Sequence, residues 1–280
     1  MPLLRATVSS GPEVLARFNS DGTPVSWFEA NWPFATWAIF LFGSGVLAAN
    51  WKKRDQYWYG WLVMVVYCLH QSEEHAYDAR GWRYSFVPSF NAGPVSKIFQ
   101  DVCSERVAAS LEQQKGDQLQ PLGCPLDPKI TLWINVTIVW IGFGGCMLAA
   151  TLEPKRFLFS GSLNWGTAVV NGLFGHLLPA VLAGFSYNPG TVQSALMVPL
   201  GLYRVVVSGR PGLCLAHGIA THLVLIGAVR LVYRYHTDET ATMVAAMLAA
   251  CPGLTLAVSN RVSRPGGTAV EGKKQEHKLQ

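Results

Sequence analysis

The chain has 280 residues, of which 50% are hydrophobic and only 14% are charged. Soluble globular proteins carry about 25% charged residues, so this composition excludes an ordinary soluble domain. The formal net charge of +5 needs no nucleic-acid partner, because Lys and Arg are expected in the cytosolic loops of a membrane protein.

Apolar windows long enough to cross a bilayer follow one another along the chain. A helix rises about 1.5 Å per residue, so about 20 residues span a hydrocarbon core of about 30 Å. We predict an all-α fold, a polytopic membrane helix bundle with about seven transmembrane helices. The predicted spans are 33–50, 57–77, 131–152, 163–186, 190–209, 213–234 and 241–258.

Three regions flank or interrupt the predicted bundle, which occupies residues 33–258. Residues 1–32 form an N-terminal outer segment, and residues 78–130 form a long polar loop with room to fold. The tail 259–280 is polar, basic and Gly-containing, so we predict that it is disordered.

The distribution of Lys and Arg predicts the orientation of the bundle. Seven of these residues fall in short loops on one side and two on the other, and the richer side is cytosolic. The C-terminus is then cytosolic, while the N-terminus and the 78–130 loop are outside or lumenal. In that oxidising space Cys103 and Cys124 can form a disulfide closing a loop of about 20 residues. Two free thiols are the alternative.

The second predicted span ends in LHQSEEHAYDARGW, which places ionisable residues where a membrane helix should be apolar. Each such group costs about 2.5–3.5 kcal/mol or more at the bilayer centre, and is usually paired, metal-bound or facing a cavity. His70, Glu73 and Glu74 stand at i, i+3 and i+4 on one helix face. This spacing suits a metal ion or a general acid/base pair. A wetted helix end at the membrane interface is the structural alternative.

Two later spans carry histidines at a similar depth. Counted from the cytosolic ends of their spans, His70, His176 and His222 lie at roughly 20, 20 and 14 Å. Ionisable groups in hydrocarbon need partners. We therefore expect His70, His176 and one of the two glutamates to approach within about 6 Å.

The sequence of the fourth span and of the residues after it predicts a kinked helix followed by a tight turn. Pro179 leaves the carbonyl of Gly175 without its helical donor, beside His176. The following Tyr187-Asn188-Pro189-Gly190 predicts a type II turn, because Pro fixes φ and Gly permits a positive φ. Tyr187 is expected on the same side of the membrane as the two glutamates.

These features together resemble the HXXEE family of multi-pass membrane proteins. The family is named for a His-x-x-Glu-Glu motif and also carries a further histidine and a Tyr-x-Pro-Gly motif. In this chain the three are His70-Gln71-Ser72-Glu73-Glu74, His176 and Tyr187-Asn188-Pro189-Gly190, in that order. The resemblance covers roughly residues 33 to 210. Because the family has no established activity, it implies the site and leaves the reaction open.

The function we expect first is that of an integral-membrane enzyme acting on a lipid or isoprenoid-like substrate. One form of the site holds a divalent metal ion, and the other uses acid and base groups without metal. The metal ligands would be His70, Glu74, His176 and His222. The catalytic candidates are His70, Glu73, Glu74, His176 and Tyr187, with Glu73 and Tyr187 orienting the others or donating to the substrate. Membrane lipids and a small hydrophobic substrate are the expected partners.

Two other classes of protein remain open. A proton- or cation-linked transporter or channel also uses buried His and Glu. Transporters commonly have matched broken helices in two repeats, whereas Pro179 and Pro199 have no counterpart in the first three spans. A structural membrane protein could use the polar cluster to hold helices together, although interhelical hydrogen bonds average only about 0.6 kcal/mol.

Overall fold

The chain is all-α in a computed structural model, which describes residues 19–104, 124–147 and 160–250. Its helices are, in chain order, α1 (Trp27–Ala49), α2 (Gln56–Gln71, continued by a π-helical turn Ser72–Ala76), α3 (Phe86–Ala92), α4 (Pro94–Phe99, a 3-10 helix), α5 (Pro128–Met147), α6 (Gly161–Leu182), α7 (Thr191–Val207), α8 (Pro211–Tyr235) and α9 (Glu239–Ala250).

Four of the described helices are long and apolar enough to cross a membrane by length and composition, namely α1, α5, α6 and α8. They coincide with four of the predicted spans. Helices α7 and α9 are apolar but shorter, with 17 and 12 described residues. Helix α2, which carries the His-x-x-Glu-Glu motif, does not meet the same criterion.

The first helix begins earlier than predicted, at Trp27 instead of residue 33. Ser26 forms a capping box with Glu29: its hydroxyl accepts from the Glu29 N–H at 3.2 Å, and Glu29 Oε2 accepts from the Ser26 N–H at 2.7 Å. This Ser-x-x-Glu pattern is a known helix-start signal, which hydropathy windows do not register. The predicted disordered tail, residues 259–280, lies outside the described residues.

The predicted 78–130 loop is folded wherever the structure describes it. It contains α3 and α4, and the Cys103–Cys124 disulfide, with Cα atoms 5.8 Å apart, confirms the predicted pairing. Asn91 ties α3 to the chain before α5 by donating to the Leu126 carbonyl at 2.8 Å and accepting from its N–H at 3.0 Å. The loop therefore packs against the helices at the end of the bundle that carries the motif.

Helices α6 and α8 are in backbone contact through glycines. A Cβ atom on Gly166 would overlap the carbonyl of Cys214, and one on Gly218 would overlap the carbonyl of Gly166. Small residues permit such close approach between membrane helices. The contact brings together Asn171 and His222, which lie about one turn further along α6 and α8.

Three helices depart from α-helical geometry near the motif. Within the described residues, π-helical segments occur at Ser72–Ala76 in α2, Thr137–Phe143 in α5 and Asn171–Leu177 in α6. A π-helical turn is wider than an α-helical turn and is frequent at functional sites. It also changes which side chains share a helix face. Glu74 keeps the predicted i, i+4 contact with His70, at 3.5 Å, whereas Glu73 does not share that face.

Candidate functional site

Glu74 lies at the centre of a buried cluster of three histidines. Its Oε1 is 3.5 Å from His70 Nε2 and 2.9 Å from His176 Nε2, and its Oε2 is 3.5 Å from His75 Nε2. None of these side chains is more than 5% exposed. The predicted approach of His70 and His176 to a glutamate of the motif is confirmed.

The turn between α6 and α7 packs directly on two of these rings. The Thr191 N–H donates to the Asn188 carbonyl at 2.9 Å, and Gly190 has φ +86°, which confirms the type II turn. A Cβ atom on Gly190 would lie 2.7 Å from the His176 ring and 2.9 Å from His70 Cε1. Glycine is therefore required both for the backbone conformation and for the space beside the imidazoles.

Pro189 determines the tautomer of His176. The His176 Nδ1 atom lies 2.6 Å from the Pro189 carbonyl oxygen. A carbonyl only accepts, so Nδ1 carries the proton and Nε2 of the neutral ring carries a lone pair. That Nε2 faces Glu74 Oε1 at 2.9 Å but is not aligned for a hydrogen bond, and it has no other hydrogen-bond partner in the described part of the chain.

The predicted irregularity of α6 beside His176 is also present. The helix is π-helical over Asn171–Leu177, immediately before Pro179. The carbonyl of Gly175, which Pro179 deprives of its helical donor, accepts from Asn188 Nδ2 at 3.0 Å. The turn after α6 thus compensates for the proline and is fixed against the helix next to the histidine.

Glu73 faces away from the histidines, toward the N-terminus of α7. It accepts hydrogen bonds from the Tyr187 hydroxyl at 3.0 Å and from the N–H groups of Val192 at 3.2 Å and Gln193 at 2.8 Å. The N-terminus of a helix favours a carboxylate. Partial burial, with Glu73 nearby, raises the pKa of Tyr187, so its phenol stays protonated and donates. Glu73 and Tyr187 occupy the positions of orienting residues, and Glu74 alone enters the cluster.

His222 lies outside the cluster, although it was expected as a fourth ligand. Its Nε2 is 3.4 Å from Asn171 Oδ1, while Asn171 Nδ2 is 2.9 Å from His70 Nε2. His222 Nδ1 donates to the Gly218 carbonyl at 2.7 Å, so its Nε2 is an acceptor. Asn171 was not among the predicted site residues, although its polar side chain within an apolar span was a signal.

His75 also belongs to the cluster, although it was not among the predicted site residues. On a regular α-helix it would be rotated about 100° from Glu74. The π-helical turn brings both residues to the interior, where His75 packs against Trp32 and Phe86 with ring centroids 5.3 and 5.7 Å away. No pattern in the sequence indicates this turn.

An apolar cavity of about 480 Å³ lies beside the cluster, and Asn171 and His222 are the polar residues in its lining. Three of its lining residues, Phe174, Ile219 and Leu223, are 52%, 47% and 61% exposed. The cavity therefore opens on the apolar perimeter between α6 and α8.

A smaller chamber of about 60 Å³ adjoins both the cavity and Glu74. It is lined by Glu74, His75, Thr131 and Asn135 among others. The residues that it shares with the cavity are Phe86, Leu126, Ile134, Ile138 and Asn171. The cavity at the apolar perimeter and the chamber at Glu74 therefore lie side by side with a shared wall.

The cluster can hold a metal ion. His70, Glu74 and His176 each offer one ligand atom, and these atoms all lie within 4.8 Å of one another. Two imidazoles and a carboxylate form a common ligand set for divalent transition metals.

Comparison with known proteins identifies one family. A family model described as a protein of unknown function with HXXEE motif matches residues 61–204, more than half of the 280 residues. The matched range includes the motif on α2, His176 and the turn before α7, and it ends before His222. No curated protein and no solved structure matches the chain. The chain therefore belongs to the HXXEE-motif family.

Proposed function

We propose that the protein is an integral-membrane enzyme that binds a divalent metal ion at His70, Glu74 and His176. Its substrate is a lipid or isoprenoid-like molecule that enters the apolar cavity from the bilayer. The observation that carries the metal site is the approach of His176 Nε2 to Glu74 Oε1 at 2.9 Å in a fully buried position, with Nδ1 of the same ring held by the Pro189 carbonyl.

This ring nitrogen and this carboxylate oxygen need a cation between or beside them at such a distance, either a metal ion or a second proton on the imidazole. A proton on His176 Nε2 would leave a buried N–H that does not point at Glu74, which is unfavourable. A metal ion with ligands at about 2.0–2.1 Å and ligand–metal–ligand angles of about 90–110° separates its ligand atoms by about 2.9–3.4 Å. The distance from Glu74 Oε1 to His176 Nε2, 2.9 Å, lies within that range, and the distance to His70 Nε2, 3.5 Å, is slightly longer.

The surroundings of the ligands support the same interpretation. A metal-binding histidine usually donates its other N–H to a carbonyl or carboxylate, as His176 does to Pro189. Imidazole ligands favour zinc and other late transition metals over magnesium or calcium, and two histidines with one glutamate are a known set at catalytic zinc. We expect zinc, with a coordination position left for substrate or water. Zinc there would polarise a substrate oxygen or supply a hydroxide nucleophile.

The protein's own residues hold the site and select the substrate. Glu73 and Tyr187 tie α2 to the turn before α7 and to the N-terminus of that helix, so they stabilise the end of the bundle that surrounds the ligands. The cavity is lined almost entirely by aromatic and aliphatic side chains. It therefore favours an apolar chain and excludes water from the approach to Glu74.

Seven membrane spans are part of the same proposal. Besides the four long apolar helices, α2 has 16 α-helical and 5 π-helical residues, enough for about 30 Å. In this proposal helix α7 crosses back after the tight turn that follows α6, α8 crosses in the opposite direction to α7, and α9 is the seventh span. The Cys103–Cys124 disulfide supports a lumenal or extracellular position for the end that carries the site, because disulfides persist in oxidising compartments.

Metal analysis of purified protein tests the function, and the two glutamates of the motif provide a matched pair. Wild type should contain about one zinc ion per chain, and Glu74→Gln should lose it. Glu73→Gln removes the same charge one residue away and should keep the metal. Wild type without stoichiometric metal, or Glu74→Gln with a full complement, would remove the basis for the proposed enzyme.

A further inference from the structure

Two residues that line the chamber beside Glu74 carry polar groups that the cluster does not use. His75 Nδ1 and Thr131 Oγ1 are buried without a hydrogen-bond partner among the described residues, and both residues are only 1% exposed. Both residues line the chamber. Buried polar groups are nearly always paired, and leaving one unpaired is costly. The two groups therefore indicate that the chamber binds something.

The hydrogen bonds around His75 show that its Nδ1 is a donor. Asn135 Nδ2 donates to the Thr131 backbone carbonyl at 2.8 Å, which fixes that amide atom as nitrogen because a carbonyl only accepts. Gln71 Nε2 donates to Asn135 Oδ1 at 2.7 Å, in agreement with this orientation. The same Asn135 nitrogen lies 3.2 Å from His75 Nε2, so Nε2 accepts. Neutral His75 then carries its proton on Nδ1.

A group bound in the chamber must satisfy donors at one end and an acceptor at the other. The Nδ1–H of His75 and the hydroxyl of Thr131 can both donate to an oxygen. Glu74, which also lines the chamber, can accept. A hydroxyl group both accepts and donates, whereas a carboxylate or phosphate would place a negative charge beside Glu74.

The cavity that adjoins the chamber indicates which kind of molecule carries this hydroxyl. Its volume of about 480 Å³ is eight times that of the chamber, about 60 Å³, and the two share aromatic and aliphatic walls. A molecule with an apolar chain in the cavity would place its terminal group in the chamber. Such binding buries the chain, which contributes about 0.8 kcal/mol per methylene group.

We infer that the substrate of the proposed enzyme is a long-chain or isoprenoid alcohol whose terminal hydroxyl binds in the chamber, receiving hydrogen bonds from His75 and Thr131. The inference rests on the proposed function for the reaction, but the recognition of the hydroxyl stands on the chamber alone. It gives Thr131 and His75 the role of selecting an alcohol over a hydrocarbon of the same length.

The test compares 1-dodecanol with dodecane, which differ only in the hydroxyl. The protein is placed in nanodiscs, and binding is measured as the rise in its thermal unfolding midpoint with increasing probe concentration. Each variant is compared with wild type on the same probe. Wild type should prefer the alcohol by about tenfold or more, because each neutral hydrogen bond contributes about fivefold. Thr131→Val has nearly the same shape and should reduce alcohol affinity by about fivefold while leaving dodecane affinity unchanged.

Thr137→Val is the matched control on the same helix. The Thr137 hydroxyl donates to backbone carbonyls of its own helix, and Thr137 is not among the residues lining the chamber or the cavity. It should therefore keep the wild-type preference. His75→Phe retains an aromatic ring of similar size and should reduce the preference as Thr131→Val does.

Equal binding of alcohol and hydrocarbon by wild type, or an unchanged preference in Thr131→Val, would overturn the inference. A loss of preference in Thr137→Val as large as in Thr131→Val would do the same. The outcomes also separate this inference from the proposed function. If the protein contains zinc but does not prefer the alcohol, only the inference about the substrate is overturned. If the protein prefers the alcohol but binds no metal, only the proposal of a metal-dependent enzyme is overturned.

Discussion

Replacing Gly190 by alanine should damage the cluster through the turn that packs on it. An added Cβ would lie 2.7 Å from the His176 ring and 2.9 Å from His70 Cε1, so these rings must move by about 0.7 and 0.5 Å to reach ordinary contact at 3.4 Å. The backbone of this residue is left-handed, with φ +86°, and alanine in that conformation lowers the stability by about a further 1–2 kcal/mol. Displacement on this scale should weaken zinc binding by about 10–100-fold, the range found when the support of a metal ligand is lost.

Gly209→Ala provides the control for backbone strain. Gly209 also has positive φ, +70°, but a Cβ there meets nothing within 4 Å. Both variants should lose about the same stability from the left-handed conformation, as measured by thermal unfolding. Only Gly190→Ala should lose zinc in competition with a chelator. Wild-type zinc affinity in Gly190→Ala, or an equal loss in Gly209→Ala, would refute the argument from steric contact.

Three further predictions concern the residues around the site. Tyr187→Phe removes the hydrogen bond to Glu73 and should lower the free energy of unfolding by about 1–2 kcal/mol in chemical denaturation, with zinc retained. Burial opposes ionisation of Asp78, but hydrogen bonds to its carboxylate, first of all from the Trp82 N–H, outweigh burial and lower its pKa. The ionised carboxylate therefore stabilises the folded state at pH values above the unfolded pKa of about 3.9. This stabilisation is lost as pH falls through the lower folded pKa. The protection of the loop amides from hydrogen exchange, measured relative to the intrinsic rate at each pH, should therefore fall at acidic pH in wild type and depend less on pH in Asp78→Asn. Reduction of the Cys103–Cys124 disulfide, which closes a loop of 21 residues, should lower stability by about 3 kcal/mol, and labelling without reductant should find neither thiol free.

The parts of the site that the sequence predicted follow from the cost of ionisable groups in apolar spans. His70, His176 and one of the two glutamates could be expected to meet because a buried charge needs a partner. Their equal depth is set by helix rise alone. The type II turn at Pro189 and Gly190 was equally predictable, since both residues have strong backbone preferences.

The remaining features depend on packing that a linear pattern does not encode. The π-helical turn in α2 directs Glu73 and Glu74 to different neighbours and turns His75 inward. Its sequence is compatible with an α-helix as well as a π-helix, so the pattern of residues does not reveal it. The pairing of Asn171 with His222 depends on the glycine contact between α6 and α8. The start of α1, in contrast, could have been predicted from the sequence. The capping box at Ser26 and Glu29 is a visible pattern, but hydropathy alone placed the helix start too late.

Anomalous diffraction at the zinc absorption edge, from crystals of protein purified without chelators, tests the central claim most directly. We predict a single strong peak about 2.0–2.2 Å from His70 Nε2, His176 Nε2 and a carboxylate oxygen of Glu74, absent from Glu74→Gln crystals. No peak at this position, together with a direct hydrogen bond between His176 and Glu74, would contradict the metal site.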